Sequence, residues 1–132
     1  MLSLGIDLPA VRHITDLVWF QGLARRMAAF FETVDVMLTP TVIHPAPQLG
    51  HYHVERVGAD LAYARVLDSF AFTCLANVTG LPAARVPFGR TEAGLPIGVQ
   101  ISAALGREDL IFGLAGAMEG AGRSGALLLS YV

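Results

Sequence analysis

The sequence predicts an α/β fold, and an open one: an incomplete α/β/α layer in which helices lie against a mixed sheet. Three observations lead there. Apolar segments follow one another as helix, strand, helix, strand, strand, helix, an alternation that suits helices layered on a sheet. The chain is 54% hydrophobic and 15% charged, against about 25% charged in ordinary soluble domains, so its polar skin is thin. Between Phe72 and Gln100, two Gly-Leu-Pro turns separate short apolar runs, which means that the backbone path itself is specified there. Residues 1–132 read as a single partial domain with apolar faces to spare.

The elements follow in order. Asp7-Leu8-Pro9 is a helix-start signal, Pro being tolerated in the first turn where its missing N–H is no loss. From Val11 to Phe31, Ile14, Leu17, Val18, Leu23, Met27, Phe30 and Phe31 recur at helical spacing, which predicts an amphipathic helix. Trp19 and Phe20 widen its apolar stripe and imply burial on more than one side. Thr33 to Thr39 is a β-branched and apolar run closed by Pro40, expected to be a buried strand. Pro40 to His53, with its prolines, is an extended loop.

Asp60 to Asn77 reads as a second helix, with Asp60 as N-cap and Asn77 or Gly80 as its left-handed end. Ala83 to Phe88 and Ile97 to Ala103 are strands, joined by a loop from Gly89 to Gly94 short enough for antiparallel neighbours. Arg107-Glu108-Asp109 opens a last helix with Leu110, Ile111, Leu114 and Met118 on one face, its acidic first turn suiting the helix dipole. The segment from Gly120 to Val132 suggests no role.

Composition excludes several functions. A net charge of −2 and a pI near 6.0 leave no electrostatic footprint for nucleic acid. Mean hydropathy is high, at +0.56, yet Gly, Arg, Asp or Pro interrupts every apolar run before the roughly 18 residues that a spanning helix needs. The expectation is therefore no membrane span and a large surface buried against a partner or another part of the same protein. The N-terminus lacks the basic and apolar regions of a secretory signal, and a single cysteine, Cys74, fits a reducing compartment. A cytoplasmic location is expected, and the sequon at Asn77-Val78-Thr79 is taken as chance.

The residues that could carry chemistry are few. Ser3, Ser69, Ser102, Ser124 and Ser130 lie in no nucleophile elbow, the nearest approach being Gly122-Arg123-Ser124-Gly125. All nine basic residues are Arg, so a Ser–Lys mechanism has no base within this chain. His44, His51 and His53 share a loop, but without the tight spacing or carboxylate partners of a metal site. Cys74, on an apolar helix face, reads as a buried small hydrophobe. Asp35 beside the first strand reads as a strand-edge cap or ion-pair partner.

Three blocks of this sequence carry a family resemblance. They are Ala76-Asn77-Val78-Thr79-Gly80-Leu81-Pro82-Ala83 with Val86-Pro87-Phe88-Gly89, then Gly94-Leu95-Pro96-Ile97-Gly98-Val99-Gln100, and upstream Asp35-Val36-Met37-Leu38-Thr39-Pro40-Thr41. Together with Glu108 to Glu119, they resemble the C-terminal part of the amidase signature family over about residues 11–121. The resemblance implies an α/β/α enzyme that hydrolyses carboxylic amides, or transfers their ammonia, with a Ser–cis-Ser–Lys triad. That triad and its Gly/Ser-rich signature belong to the family's N-terminal part. No catalytic residue is therefore assigned here, substrate-binding residues are not identified, and no cofactor or metal is implied.

Three departures stand out: no lysine, no Gly/Ser-rich signature, and a segment from Arg123 to Val132 without the closing Pro and Trp of the family. The last suggests a truncated or divergent end. The resemblance implies a chain that completes the central sheet and helps wall the substrate pocket, active only with an N-terminal amidase core on the same or another polypeptide. The alternative is a non-catalytic interaction or homo-oligomerising module derived from an amidase. A third reading, an autonomous enzyme built on the histidine loop, requires a metal.

Overall fold

The structure, a computed structural model, describes residues 7–123. Its elements are α1 (Ala10–Phe30), β1 (Val36–Pro40), α2 (Val54–Val57), α3 (Ala59–Ser69), α4 (Thr73–Thr79), β2 (Ala83–Arg90), β3 (Pro96–Ala103) and α5 (Glu108–Arg123). The strands form one sheet in the order β1-β3-β2. Both pairings are antiparallel, with Leu38 and Ala84 on either side of Ile101, and Thr39 and Arg85 on either side of Gln100. The mixed sheet expected from sequence is thus represented in the described residues by antiparallel pairs.

Strand alternation gives the sheet two different faces. Val36, Leu38, Ala84, Val86, Val99, Ile101 and Ala103 share the first. There, Val86, Ile101 and Ala103 form the core with Ile111 of α5, joined by Leu114, Ala115 and Met118 from the same helix. The helical spacing of 111, 114, 115 and 118 lays one stripe of α5 on the sheet, as its sequence predicted. On the second face stand Thr39, Arg85, Gln100 and Ser102. Gln100 and Ser102 are nonetheless buried, with Gln100 Nε2 donating to Ser102 Oγ at 3.4 Å.

Both outer strands carry proline. Pro40 ends β1, and Pro87 sits where the β2–β3 register shifts between Pro87 and Gly89, so Phe88 is the extra residue of a bulge. A proline removes one ladder donor, which an outer strand, a bulge or the first residue of a strand tolerates; the central strand accordingly has its proline, Pro96, only at its start. The turn from β2 to β3 is closed by bonds from Thr91 N–H to Leu95 O and from Gly94 N–H to Thr91 O, each 2.8 Å, with Gly94 at φ +80°.

Several expectations are corrected. Pro9 is the N-cap of α1, not a first-turn residue, and is extended at φ −62°, ψ 142°; its carbonyl accepts the first helical bond from His13 N–H. The first strand starts at Val36, not Thr33. Residues 31–33 instead close α1, where Glu32 and Thr33 N–H bond the carbonyls of Ala29 and Phe30 and Thr33 Oγ1 also reaches Phe30 O. Asp60 lies in the first turn of α3, while Gly58 is the N-cap, at φ +81°.

The single helix expected over Asp60–Asn77 is two helices. Ser69 Oγ donates to Arg65 O and Thr73 Oγ1 to Phe70 O. Ala71 and Leu75 N–H take i−3 rather than i−4 carbonyls. Hydroxyls competing for helical carbonyls in this way tighten and break the ladder. Gly80 ends α4 as foreseen, left-handed at φ 74°, ψ 12° with its N–H on Ala76 O; Asn77 lies inside the helix.

Helix α1 packs on α4 but buries none of its residues. Val11, Ile14, Leu17, Val18 and Trp19 stay exposed, Val11 at 76%. Such a run of exposed large apolar side chains along one helix is unusual for a free surface. Among the described residues, no helix is long and apolar enough to cross a membrane.

Candidate functional site

The second face of the sheet carries the candidate site. One residue beyond β1 the chain still follows the ladder, with Thr41 N–H bonded to Gly98 O at 2.9 Å. The loop that follows and the end of α3 overhang this face and leave a cleft of about 380 Å³. Its walls are mostly apolar, with Val42, Ala46, Pro47, Phe70 and Pro96 among them. Its polar groups are Thr41, His44, Tyr52, Ser69 and Arg85.

Each polar group is placed by local structure. Ser69 Oγ lies 2.9 Å from Arg65 O and 2.6 Å from Tyr52 Oη. Because a carbonyl only accepts, the Ser69 proton goes to Arg65 O, and Tyr52 donates to Ser69. Arg65 Nη1 in turn donates to His51 O at 2.7 Å, so α3 fixes the loop that roofs the cleft. His44 Nε2 pairs with Asp68 Oδ2 at 3.2 Å on the exposed rim.

Arg85 reaches the cleft from β2, and Gly98 makes room for it. A Cβ at residue 98 would lie 2.5 Å from Arg85 Nε and 2.8 Å from Thr41 Oγ1. Thr39 Oγ1 and Thr41 Oγ1 are buried without a hydrogen-bond partner among the described residues. Buried polar groups are nearly always bonded, so these two hydroxyls distinguish this face from the satisfied core.

The residues singled out from sequence are dispersed. Ser69 lines the cleft with its proton committed to a carbonyl, and Ser102 is buried in β3 at 1% exposure. Ser3, Ser124 and Ser130 lie outside the described residues. Of the histidines, only His44 lines the cleft. His51 stacks edge-on with Tyr52 at 4.8 Å, and His53 stands 3.9 Å from Glu55. Among the described residues, no group of three or more His, Cys, Asp or Glu could hold a metal ion. Asp35 is exposed just before β1.

Cys74 is exposed on α4, which corrects its reading as a buried hydrophobe. The apolar spacing of the segment assumed one unbroken helix covered along one face, whereas Cys74 lies in the first turn of the separate, shorter α4, which buries none of its residues.

Arg85, Gly98, Thr41 and Tyr52 were not singled out as a site by sequence. One signal was present: Arg85 is the lone charge inside the apolar run Ala83 to Phe88. A charge at the alternate position of a strand faces away from the core. What the alternation could not convey is that a loop forty residues upstream in the chain closes over that face.

Comparison with known proteins places this geometry in a family. The family model described as Amidase matches residues 18–112. The Mycobacterium tuberculosis protein named amidase AmiC is 42% identical over 126 residues, covering 89% of this chain and 25% of its own length. The 6-aminohexanoate-cyclic-dimer hydrolase of Paenarthrobacter ureafaciens is 41% identical over 93 residues, covering 66% of this chain and 19% of its own. A solved structure of 6-aminohexanoate cyclic dimer hydrolase superposes with a TM-score of 0.79 at 32% identity, over 87% of this chain and 25% of that one. The solved glutamyl-tRNA(Gln) amidotransferase polypeptide of Thermotoga maritima follows at a TM-score of 0.59 and 29% identity, over 71% of this chain and 19% of that one. The chain thus spans about a quarter of the length of the relatives it matches. With the family model matching most of its length and its fold superposing on part of these structures, the chain belongs to the amidase family.

Proposed function

We propose that this chain is the C-terminal portion of an amidase that hydrolyses a carboxylic amide or transfers its ammonia. It completes the sheet and walls part of the substrate pocket. It is not catalytic alone, because the Ser–Ser–Lys core of the resemblance has no counterpart in a sequence without lysine. The partner is an N-terminal amidase core, on the same polypeptide or a separate one. The single observation that carries this reading is the unburied apolar run of α1 in a chain matching a quarter of an amidase. The work is done in the cytoplasm, a location the single cysteine suits.

Co-expression with the N-terminal three quarters of a related amidase tests the proposal. A co-purifying complex that hydrolyses a small aliphatic amide is expected, with neither part active alone. Absence of both complex and hydrolysis refutes it. The same exposed face of α1 also suits self-association. A monodisperse homo-oligomer that ignores the amidase core would establish the interaction-module reading instead.

A further inference from the structure

We propose that the cleft on the second face of the sheet binds a small monocarboxylate carried on an apolar stem, with Arg85 as the cation that holds it. Among the described residues, the lining contains one permanent charge, Arg85, and no Asp or Glu. Four other arginines are engaged within the described residues: Arg12 and Arg107 pair with Asp16 and Asp109, and Arg65 and Arg90 bond backbone carbonyls. Arg85, like Arg25, Arg26 and Arg56, has no such hydrogen bond or ion pair among the described residues, but it alone lines the cleft, and a guanidinium beside apolar walls is the group best suited to grip a carboxylate with two parallel bonds.

A second donor stands beside it. Thr41 Oγ1 is buried and unpartnered among the described residues, and it flanks the same side of Gly98 as Arg85 Nε. One planar cation and one hydroxyl match a monocarboxylate. A phosphate carries more charge and more acceptor oxygens than these two donors satisfy. The apolar walls, Val42, Pro47, Phe70 and Pro96, suit an aliphatic stem instead of a second polar end. Gly98 keeps the floor open, since any side chain there would displace both donors.

Resting on the amidase reading above, the bound carboxylate is the far, acid end of an amide substrate whose amide lies toward the N-terminal core. The substrate class is therefore ω-carboxy amides.

The site is tested on the full 132-residue chain by calorimetric and NMR titration with hexanoate, hexanamide and inorganic phosphate. Saturable binding of hexanoate is expected, with hexanamide and phosphate each at least about tenfold weaker, the scale of one charge-assisted contact. Arg85→Gln loses about tenfold for hexanoate and Arg85→Lys retains part of it, because a point charge replaces a fork. Thr41→Val, which keeps the shape, weakens hexanoate without changing hexanamide; circular dichroism checks that each variant is folded. Hexanoate binding no tighter than hexanamide, phosphate binding as tightly as hexanoate, or undiminished binding by folded Arg85→Gln overturns the proposal.

The substrate assignment is tested in the amidase reconstituted with its N-terminal core, by comparing adipic monoamide with hexanamide. A preference in kcat/KM for the acid, lost in Arg85→Gln, is expected. Hydrolysis of both without preference overturns the substrate class and leaves the amidase reading intact. Carboxylate binding by the chain with no hydrolysis of either amide overturns the amidase reading and leaves the carboxylate site standing.

Discussion

Arg85 lies across Gly98: a Cβ at residue 98 would come within 2.5 Å of Arg85 Nε. The two residues are diagonal neighbours on the β2–β3 ladder, Arg85 standing opposite Gln100 and Pro87 opposite Gly98, a spacing that long side chains bridge. The missing side chain thus lets a strand arginine lie flat along the sheet and enter the cleft. Thr41 Oγ1 crowds the same spot at 2.8 Å, and with its backbone tied to Gly98 O it can give way only by rotating its side chain.

From this crowding, Gly98→Ala is expected to destabilise the chain by about 1–3 kcal/mol, the range for overpacking a fitted position. Urea unfolding measures it. A midpoint within error of the parent chain would mean that Arg85 and Thr41 both move away without cost.

The sheet and α5 meet at Ile101, which is fully buried, while Phe112 on the same helix is 73% exposed. Ile101→Ala should cost about 2–5 kcal/mol. Phe112→Ala should change the stability of the chain alone by less than about 0.5 kcal/mol, as surface substitutions do. Equal losses for the two would contradict the one-sided packing of α5.

Tyr52 and Ser69 join the roof of the cleft to α3 through a 2.6 Å hydrogen bond. A double-mutant cycle with Tyr52→Phe and Ser69→Ala should return a coupling of about 1 kcal/mol. Additive effects would show that the Tyr52–Ser69 bond contributes nothing and that the roof is held by its other bonds to α3, from Arg65 and His44.

The exposed pair of Arg107 and Asp109, 2.9 Å apart, has a pH signature. The hydrogen bond from Arg107, aided by its charge, holds the Asp109 carboxyl below the usual aspartate range. The folded chain thereby favours the ionised form, so the stabilisation is present above the ordinary range and is lost as pH falls through the lowered value. Carboxyl NMR titration should find Asp109 titrating below an ordinary aspartate, and moving upward in Arg107→Gln. No upward movement would refute the pairing in solution. Because both groups face solvent, the effect on global stability is small.

Trp19 reports on α1. It is 56% exposed, with Arg26 5.9 Å above its ring. Its emission should be that of a solvated indole in the chain alone and shift to shorter wavelength on addition of an amidase N-terminal core. An unchanged spectrum in a demonstrated complex would place the interface elsewhere.

Much of this molecule could be read from its residues. The period of 3.6 in α1 and α5, the alternation in β2 and β3, and the turn glycines Gly80 and Gly94 are local properties, because each follows from how a backbone of that composition satisfies its own hydrogen bonds. The family blocks, too, are linear strings. The helix break at residues 70–72 escaped, since apolar spacing continues through it and only the hydroxyls of Ser69 and Thr73 betray it.

By itself, then, the sequence determined the element types, the surplus of apolar surface and the lack of a lysine base. Only the tertiary structure decided that β1 is the other neighbour of β3, which face α5 covers, and that Thr41, Tyr52, Ser69 and Arg85 share one cleft. The reason is physical: a strand's alternation assigns its residues to two faces, but what closes over a face is set by contacts between residues far apart in the chain, and no local spacing encodes those.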